Sequence, residues 1–483
     1  MYGTPKTVKT CRVRASTVKM VSWITLIFVA CLGSSLIVLS SGSSAVAADD
    51  DDNSYEKIFD ELKVFTDVLS IVERDYVREV HGDELVQGAI KGMLTALDPH
   101  SGYLEPEFYQ DLRIQTKGEF GGLGIEITIR DGLLVVVAPM EGSPAEQAGI
   151  LPGDKIVKIE GNFTKEFSLV DAVKRLRGPK GSPIEISVLR EGYDDLIDVT
   201  IVRDRISVKS VRYRLLDAGF GYVRVSQFVE STADDLQDAL YALVKENDSD
   251  ELRGLVLDLR NNPGGLLTQA VRVTDLFLDQ GVIVYTDGRV QEQKQKFFAQ
   301  KRGTQAHYPI IILVNEGSAS ASEIVSGALQ DHGRAIILGT QTFGKGSVQT
   351  ITPLANGGAL TLTTALYYTK NGRSIQATGV TPDIIHTVDS PPATESKKEN
   401  SKKSPIRLRE GDLPGAIANP DGRRSAEEGE QASEEEGDAA SSSPPAPALE
   451  RPQDLSTPVL LERDSQLRRA LELLKTYERF QPE

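Results

Sequence analysis

Asn315-Glu316-Gly317-Ser318-Ala319-Ser320-Ala321-Ser322-Glu323-Ile324, answered downstream by Gly344-Lys345-Gly346-Ser347-Val348-Gln349, is the stretch on which the reading of this chain turns. The compact apolar run 309–314 precedes it and reads as a strand buried in a parallel sheet. A helical pattern follows over 321–331, and a second apolar run over 335–338 ends shortly before Lys345. One helix, one return turn and one strand account for the 25 positions between Ser320 and Lys345. Successive strands of a parallel βαβ unit open onto the same sheet edge, where ligands bind. Both side chains therefore emerge at one edge. The earlier strand, 254–259, delivers Asn261-Asn262-Pro263-Gly264-Gly265 to that edge as well. Adjacent glycines let backbone approach a reacting carbonyl closely. The amide of Gly264 or Gly265, with that of Ala321 at the helix start, forms a candidate oxyanion hole.

A serine hydroxyl is a weak nucleophile and needs a base within hydrogen-bond reach. Lysine serves only when neutral, so its pKa must fall from about 10.4 towards 7–8. Burial without a carboxylate partner supplies that shift. Phe343 beside the lysine loop fits an apolar pocket, and Gln349 orients the amine without adding charge. Spacing alone leaves Ser318, Ser320 and Ser322 open as nucleophile. Asp331 stands about 16 Å down the helix from Ser320, which assigns it to the lysine or to the helix boundary. The same distance, and the lack of a GxSxG elbow, set aside a Ser–His–Asp triad through His332.

The bulk of the sequence narrows the field further. At 483 residues the chain suits two to four domains, and 40% apolar residues suffice for real cores. A net charge of −16 argues against a nucleic-acid binder. The two cysteines, Cys11 and Cys31, lie in the N-terminal segment, so the folded part carries no disulfide or thiolate chemistry. Five scattered histidines without HExxH spacing give no zincin site, and no metal or cofactor is implied. Lys6, Lys9, Arg12, Arg14 and Lys19 precede an apolar run of 19 residues at 21–39, and Ala45-Val46-Ala47 offers a cleavage site. Residues 1–48 thus read as a signal peptide or membrane anchor, with cleavage and anchoring both open.

The expected fold is a multidomain α/β chain. Residues 53–104 form an N-terminal helical region, with Leu62, Phe65, Leu69, Val72 and Tyr76 as one stripe. The stripe is read first as plain core and second as a dimer seam. Residues 105–203 form a small β-rich module with one helix near 169–176, and 204–389 an α/β core with parallel βαβ units. Residues 390–458, with Glu434-Glu435-Glu436 and many serines and prolines, read as a disordered acidic linker. Residues 459–483 hold a short amphipathic C-terminal helix, free to dock on a partner or on the chain itself.

The quoted stretches, with Gly327-Ala328-Leu329, Thr342-Phe343 and Leu257-Asp258-Leu259-Arg260, resemble the signature of the carboxyl-terminal processing peptidases, or tail-specific proteases. Gly372-Arg373-Ser374-Ile375-Gln376 supports the match, which covers roughly residues 53–389. The resemblance implies a serine endopeptidase acting through an acyl-enzyme. It makes Ser320 the nucleophile, Lys345 the general base and Gln349 its support, with Asp331 a lesser candidate. It also implies that the β-rich module is a PDZ domain. Gly121-Gly122-Leu123-Gly124-Ile125 would then be its carboxylate-binding loop, and Leu169, Val173 and Leu176 its groove wall. Clustered backbone amides capture a C-terminal carboxylate while the peptide adds to a strand edge. The expected partners are protein substrates held by their C-terminal tails, an adaptor protein, and a second copy joined through the N-terminal helices. The expected location is the bacterial periplasm, soluble or anchored to the inner membrane. The rival reading is a PDZ scaffold without activity.

Overall fold

A computed structural model describes residues 50–130, 132–193, 195–248, 251–387, 408–422 and 456–480, with side chains from residue 57 onward. The leader expected at 1–48 and most of the linker expected at 390–458 lie outside the described residues. No helix among the described residues is long and apolar enough to cross a membrane.

The chain divides into two units, 1–82 and 83–483. The first contributes the helix Asp50–Asp75. Its stripe is not core: Leu62, Phe65 and Tyr76 are exposed, and Leu69 and Val72 only half-buried. The helical period holds and the expected burial does not, because periodicity shows that a face exists and not what covers it.

In the second unit, six antiparallel strands build the β-rich module: Ile125–Arg130, Leu133–Pro139, Lys155–Ile159, Pro183–Leu189 and Ile197–Val202, in that sheet order, with the short Asn162–Phe163 paired to Lys155–Ile159. Leu134, Val136, Ile156, Ile159, Ile184, Ile186 and Val188 face inward and pack on Ala172 and Leu176 of the helix Leu169–Leu176. That helix starts where expected because Ser168 and Asp171 close a capping box on each other's backbone N–H. The strand Ile125–Arg130 is the sheet's edge, beside this helix.

The peptidase-like core is a six-stranded sheet ordered Val211–Asp217, Phe220–Val225, Gly254–Asp258, Ile310–Val314, Ile336–Gly339, Ile384–Ile385. The first pair is antiparallel and the rest are parallel. The central strands read as unbroken apolar runs because both faces are covered. Leu255, Leu257, Ile310, Ile312 and Val314 face the helices Thr232–Glu246, Leu267–Asp275 and Ala321–Asp331. Val256, Ile311 and Leu313 face Leu460, Leu467, Ala470, Leu471 and Leu474 on the opposite side. Those last residues belong to the helices Thr457–Arg463 and Ser465–Phe480. The C-terminal helix therefore docks on its own chain, as the second layer of the sheet.

A further sheet, unread in the sequence, joins Gly102–Leu104, Ala359–Thr369, Val282–Gly288 and Lys296–Phe298, with Ser347–Pro353 on the other side of Ala359–Thr369. It carries the residues after Lys345. Within the stretch read as linker, residues 408–422 are ordered against the core, with Glu410 fully buried.

Candidate active site

The strand Ile310–Val314 ends at a turn that feeds the helix Ala321–Asp331, and Ser320 is that helix's N-cap. The structure separates the three serines. Ser318 Oγ donates to the Leu259 carbonyl at 2.8 Å and Ser322 Oγ to the Asn262 carbonyl at 2.9 Å, both fully buried. These two stitch the serine turn to the glycine loop. Ser320 is half-buried, with φ +55° and ψ −112°, a left-handed backbone that a side chain rarely adopts.

Gly264 lies against this serine, and Gly265 against the Phe228 backbone. A Cβ on Gly264 would sit 2.7 Å from the Ser320 Cβ and 3.0 Å from the Ala321 nitrogen, and Gly264 has φ +104°. Glycine is required there on both counts. Its N–H is committed to Asn262 Oδ1 at 2.9 Å. Of the two glycines, Gly265 is therefore the donor left for an oxyanion. Gly265 bridges Phe228 in parallel register: the Phe228 N–H reaches the Gly264 carbonyl and the Leu266 N–H the Phe228 carbonyl. In that pattern the central residue's own N–H faces away from its partner. Among the described residues no hydrogen bond takes the N–H of Gly265 or Ala321.

Lys345 sits between Gly344 and Gly346 and is half-buried. Burial pulls its pKa below the ordinary lysine value, while the carboxylates of Glu410, Asp98 and Glu323 work the other way. Among the described residues its Nζ has no hydrogen bond or ion pair.

What joins the serine to the lysine is Glu323, which the sequence reading quoted without giving it a role. One of its oxygens accepts the Ser320 N–H at 2.8 Å and the Lys345 N–H at 2.9 Å. The two amide nitrogens therefore lie within about 5.7 Å of each other, the sum of those bonds. The other oxygen accepts from Thr342 Oγ1 at 2.5 Å and the Gly344 N–H at 2.8 Å. Burial pushes the Glu323 carboxyl up to about 7, against the pull of these four donors. The signal was available: Ser320-x-x-Glu323 has capping-box spacing. Tyr367, buried on Ala359–Thr369, also went unread; its hydroxyl meets the Ser320 side chain and donates to the Lys345 carbonyl.

The remaining candidates sit as follows. Gln349 lies on Ser347–Pro353, and its amide nitrogen donates to Ser347 Oγ at 3.0 Å and Thr363 Oγ1 at 3.4 Å. It makes no hydrogen bond to Lys345 in this arrangement. Asp331, at the far end of its helix, accepts from Arg373 at 3.2 Å and from the Asn371 N–H at 3.3 Å. It braces a turn and is remote from Ser320, as the helix rise requires. His332 Nε2 bonds to the Val282 carbonyl at 2.8 Å, outside the serine's reach.

Behind the glycine loop, Asp258 is fully buried and takes both Arg260 and the Tyr222 hydroxyl. Burial opposes its charge, and Arg260 and Arg224 hold its pKa below the usual carboxylate value. Arg260 continues to Asp464, between the two C-terminal helices, and to Gln466 on the second. The loop that offers Gly265 is thus tied to a segment some two hundred residues away in sequence.

In the β-rich module the N–H groups of Leu123 and Gly124 have no partner among the described residues. Gly124 has φ +73°, and a Cβ there would lie 2.4 Å from the Ser143 Cβ. Leu123 and Leu176 face the module's own core and half-buried Ile125 packs against it, so Leu169 and Val173 are the expected groove side chains that stay outside that core. Gly121 packs against the Gly178 carbonyl, and Gly122 sits beside the Phe120 ring.

Comparison with known proteins places the chain in a family. Residues 219–386 match the model of peptidase family S41, residues 135–190 a PDZ domain, and residues 33–108 the N-terminal domain of the activating protease CtpB. A carboxy-terminal-processing protease of Bartonella bacilliformis is 49% identical over 365 residues, covering 76% of this chain and 82% of its own. The carboxyl-terminal-processing protease of a Synechocystis species is 38% identical over 323 residues, covering 65% and 74%. A solved photosystem II D1 C-terminal processing protease is 32% identical, covering 68% of this chain and 93% of its own at a TM-score of 0.40. This chain accordingly belongs to the PDZ-containing carboxy-terminal-processing serine peptidases of family S41.

Proposed function

We propose that Ser320 is the nucleophile and Lys345 the general base of an acyl-enzyme mechanism, applied to envelope proteins recognised by their C-terminal tails. The observation that carries this reading is the shared Glu323 carboxylate, which fastens the backbone of Ser320 to that of Lys345. Neutral Lys345 takes the Ser320 proton as Oγ adds to the scissile carbonyl. The N–H groups of Gly265 and Ala321 receive the developing oxyanion. The ammonium of Lys345 then protonates the leaving amine, and water, activated by the same amine, releases the acyl group. Gln349 is a positioning candidate for the amine through its carbonyl oxygen, since its nitrogen is occupied. In the PDZ module, the Leu123 and Gly124 amides would take the tail's carboxylate while the tail pairs with Ile125–Arg130. Export to the periplasm rests on the basic and apolar leader. An adaptor, and a dimer built on the exposed stripe of Asp50–Asp75, belong to the same proposal.

Hydrolysis of an unstructured polypeptide by folded variants tests the dyad. Ser320→Ala and Lys345→Ala should each lower turnover by about a thousandfold or more, and His332→Ala should leave it near wild type. Retained activity in Lys345→Ala would end the reading.

A further inference from the structure

The segment 408–422 belongs to none of the domains just described, yet it is built into the site. Glu410 is fully buried, on the short turn Glu410–Asp412. His100 Nε2 lies 2.8 Å from each of its carboxylate oxygens, and Gln376 Nε2 donates to one at 3.1 Å. Its own N–H donates to the carbonyl of Phe343, two residues before Lys345, at 3.2 Å. The rest of the segment grips the strip after the second sheet. Gln376 Nε2 reaches the Ile417 carbonyl at 3.1 Å, Asn419 Nδ2 the Gln376 carbonyl at 2.7 Å, and the Ser374 N–H reaches Asp421 at 2.9 Å.

A carboxylate is costly to bury unless partners satisfy it, and here two side chains from distant parts of the chain, His100 and Gln376, do so. The cradle is specific to this side chain. We propose that segment 408–422 is an intramolecular strap that restrains the peptidase, fastened to the lysine loop through the Glu410 N–H on the Phe343 carbonyl and through Gln376, which holds both Glu410 and the Gly346 N–H. This inference rests on the Ser320–Lys345 reading and adds a positioning residue to it.

The electrostatics run in the proposed direction. Glu410 is foremost among the carboxylates that favour the charged amine, ahead of Asp98 and Glu323. Asp98 comes from the loop after the helix Gly82–Thr95, and Glu323 from the helix Ala321–Asp331. His100 stands beside Glu410 and offsets it when protonated, and the Tyr367 hydroxyl is occupied by the Lys345 carbonyl. Asp98 is fixed by Ser101, the His100 N–H and Thr363, and Glu323 by its four donors. Of the three, Glu410 alone arrives on a segment outside the S41 match at 219–386 and outside the N-terminal match at 33–108.

The test is the pH dependence of Ser320 labelling by a fluorophosphonate on the full chain, which needs no substrate. Glu410→Gln keeps an oxygen for His100 and Gln376 while removing the charge. It should label about fivefold or more faster at neutral pH, with the rising limb moved to lower pH. Replacing 408–422 by an equal length of glycine and serine should move the limb the same way, and this second variant does not depend on how well the first one folds. A limb unmoved in both variants, or slower labelling on an unmoved limb, overturns the strap and leaves the dyad standing. A Lys345→Ala control that retains the wild-type limb overturns both.

Discussion

The PDZ module and the peptidase core are built by opposite routes. The module closes almost entirely on its own sequence: edge strand, glycine loop and helix lie within residues 121–176, and the capping box that starts the helix joins residues three apart. The core's candidate site draws on Asp98 and His100, the glycine loop, the serine turn, the lysine loop, Tyr367 and Glu410, held together by one carboxylate and by an arginine that reaches the C-terminal helix. A module assembled locally fails locally. A site assembled from distant pieces is exposed to changes far from its chemistry.

That contrast can be broken at its strongest point first. Leu467 is fully buried under the sheet, on the helix face next to Asp464 and Gln466. Leu467→Ala should cost about 2–5 kcal/mol of stability in denaturant titration, and it should lower peptide hydrolysis by loosening the Arg260 tie. If stability falls while hydrolysis at a temperature well below the transition stays at wild type, the glycine loop is independent of its distant brace.

Glu323 sharpens the comparison next, through pH. Its folded value is pushed up to about 7 from an ordinary 4.5, because burial penalises the charge that the four donors favour. A raised carboxyl contributes stability fully below the unfolded value, and that contribution is lost as pH rises through the folded one. The stability of the wild type relative to Glu323→Gln should therefore fall between pH 4.5 and pH 7, by up to about 3 kcal/mol. Thermal melts of both proteins across that window decide it, and parallel curves would show that the four donors fully offset burial. The smallest effect belongs to the module. Val173→Ala should weaken capture of an apolar tail by about 1 kcal/mol, raising KM for tailed substrates and leaving a tail-less peptide untouched. An equal loss on both substrates would mean that the module and the core are not separable in function.

The same contrast explains what could be read from the sequence. The β-rich module, its helix near 169–176 and the apolar runs at 254–259 and 309–314 carry local patterns, and the structure holds a helix and parallel strands there. Lys345 and the three serine candidates were legible because glycine spacing and βαβ geometry aim them at one edge. Glu323 left a signal in its spacing from Ser320. Within the strand Ala359–Thr369 only Leu360-Thr361-Leu362-Thr363 alternates, a period-two signal too short to mark the whole strand. Glu410 left none. In a polar stretch a glutamate reads as solvated, and only the fold reveals that His100 and Gln376 await it. The terminal helix showed an apolar face, but a single helix cannot say which surface it will cover.

Ser320 holds its backbone at φ +55°, and a side chain in that twist costs about 1–2 kcal/mol that glycine would not incur. Two ways of silencing the hydroxyl are thus physically different. Alanine keeps the torsion and the tension stored in it; glycine lets the turn relax. An inert protein made by the first route preserves the ground state from which the native one reacts, whereas the second rests in a calmer geometry and misreports how firmly a substrate is held.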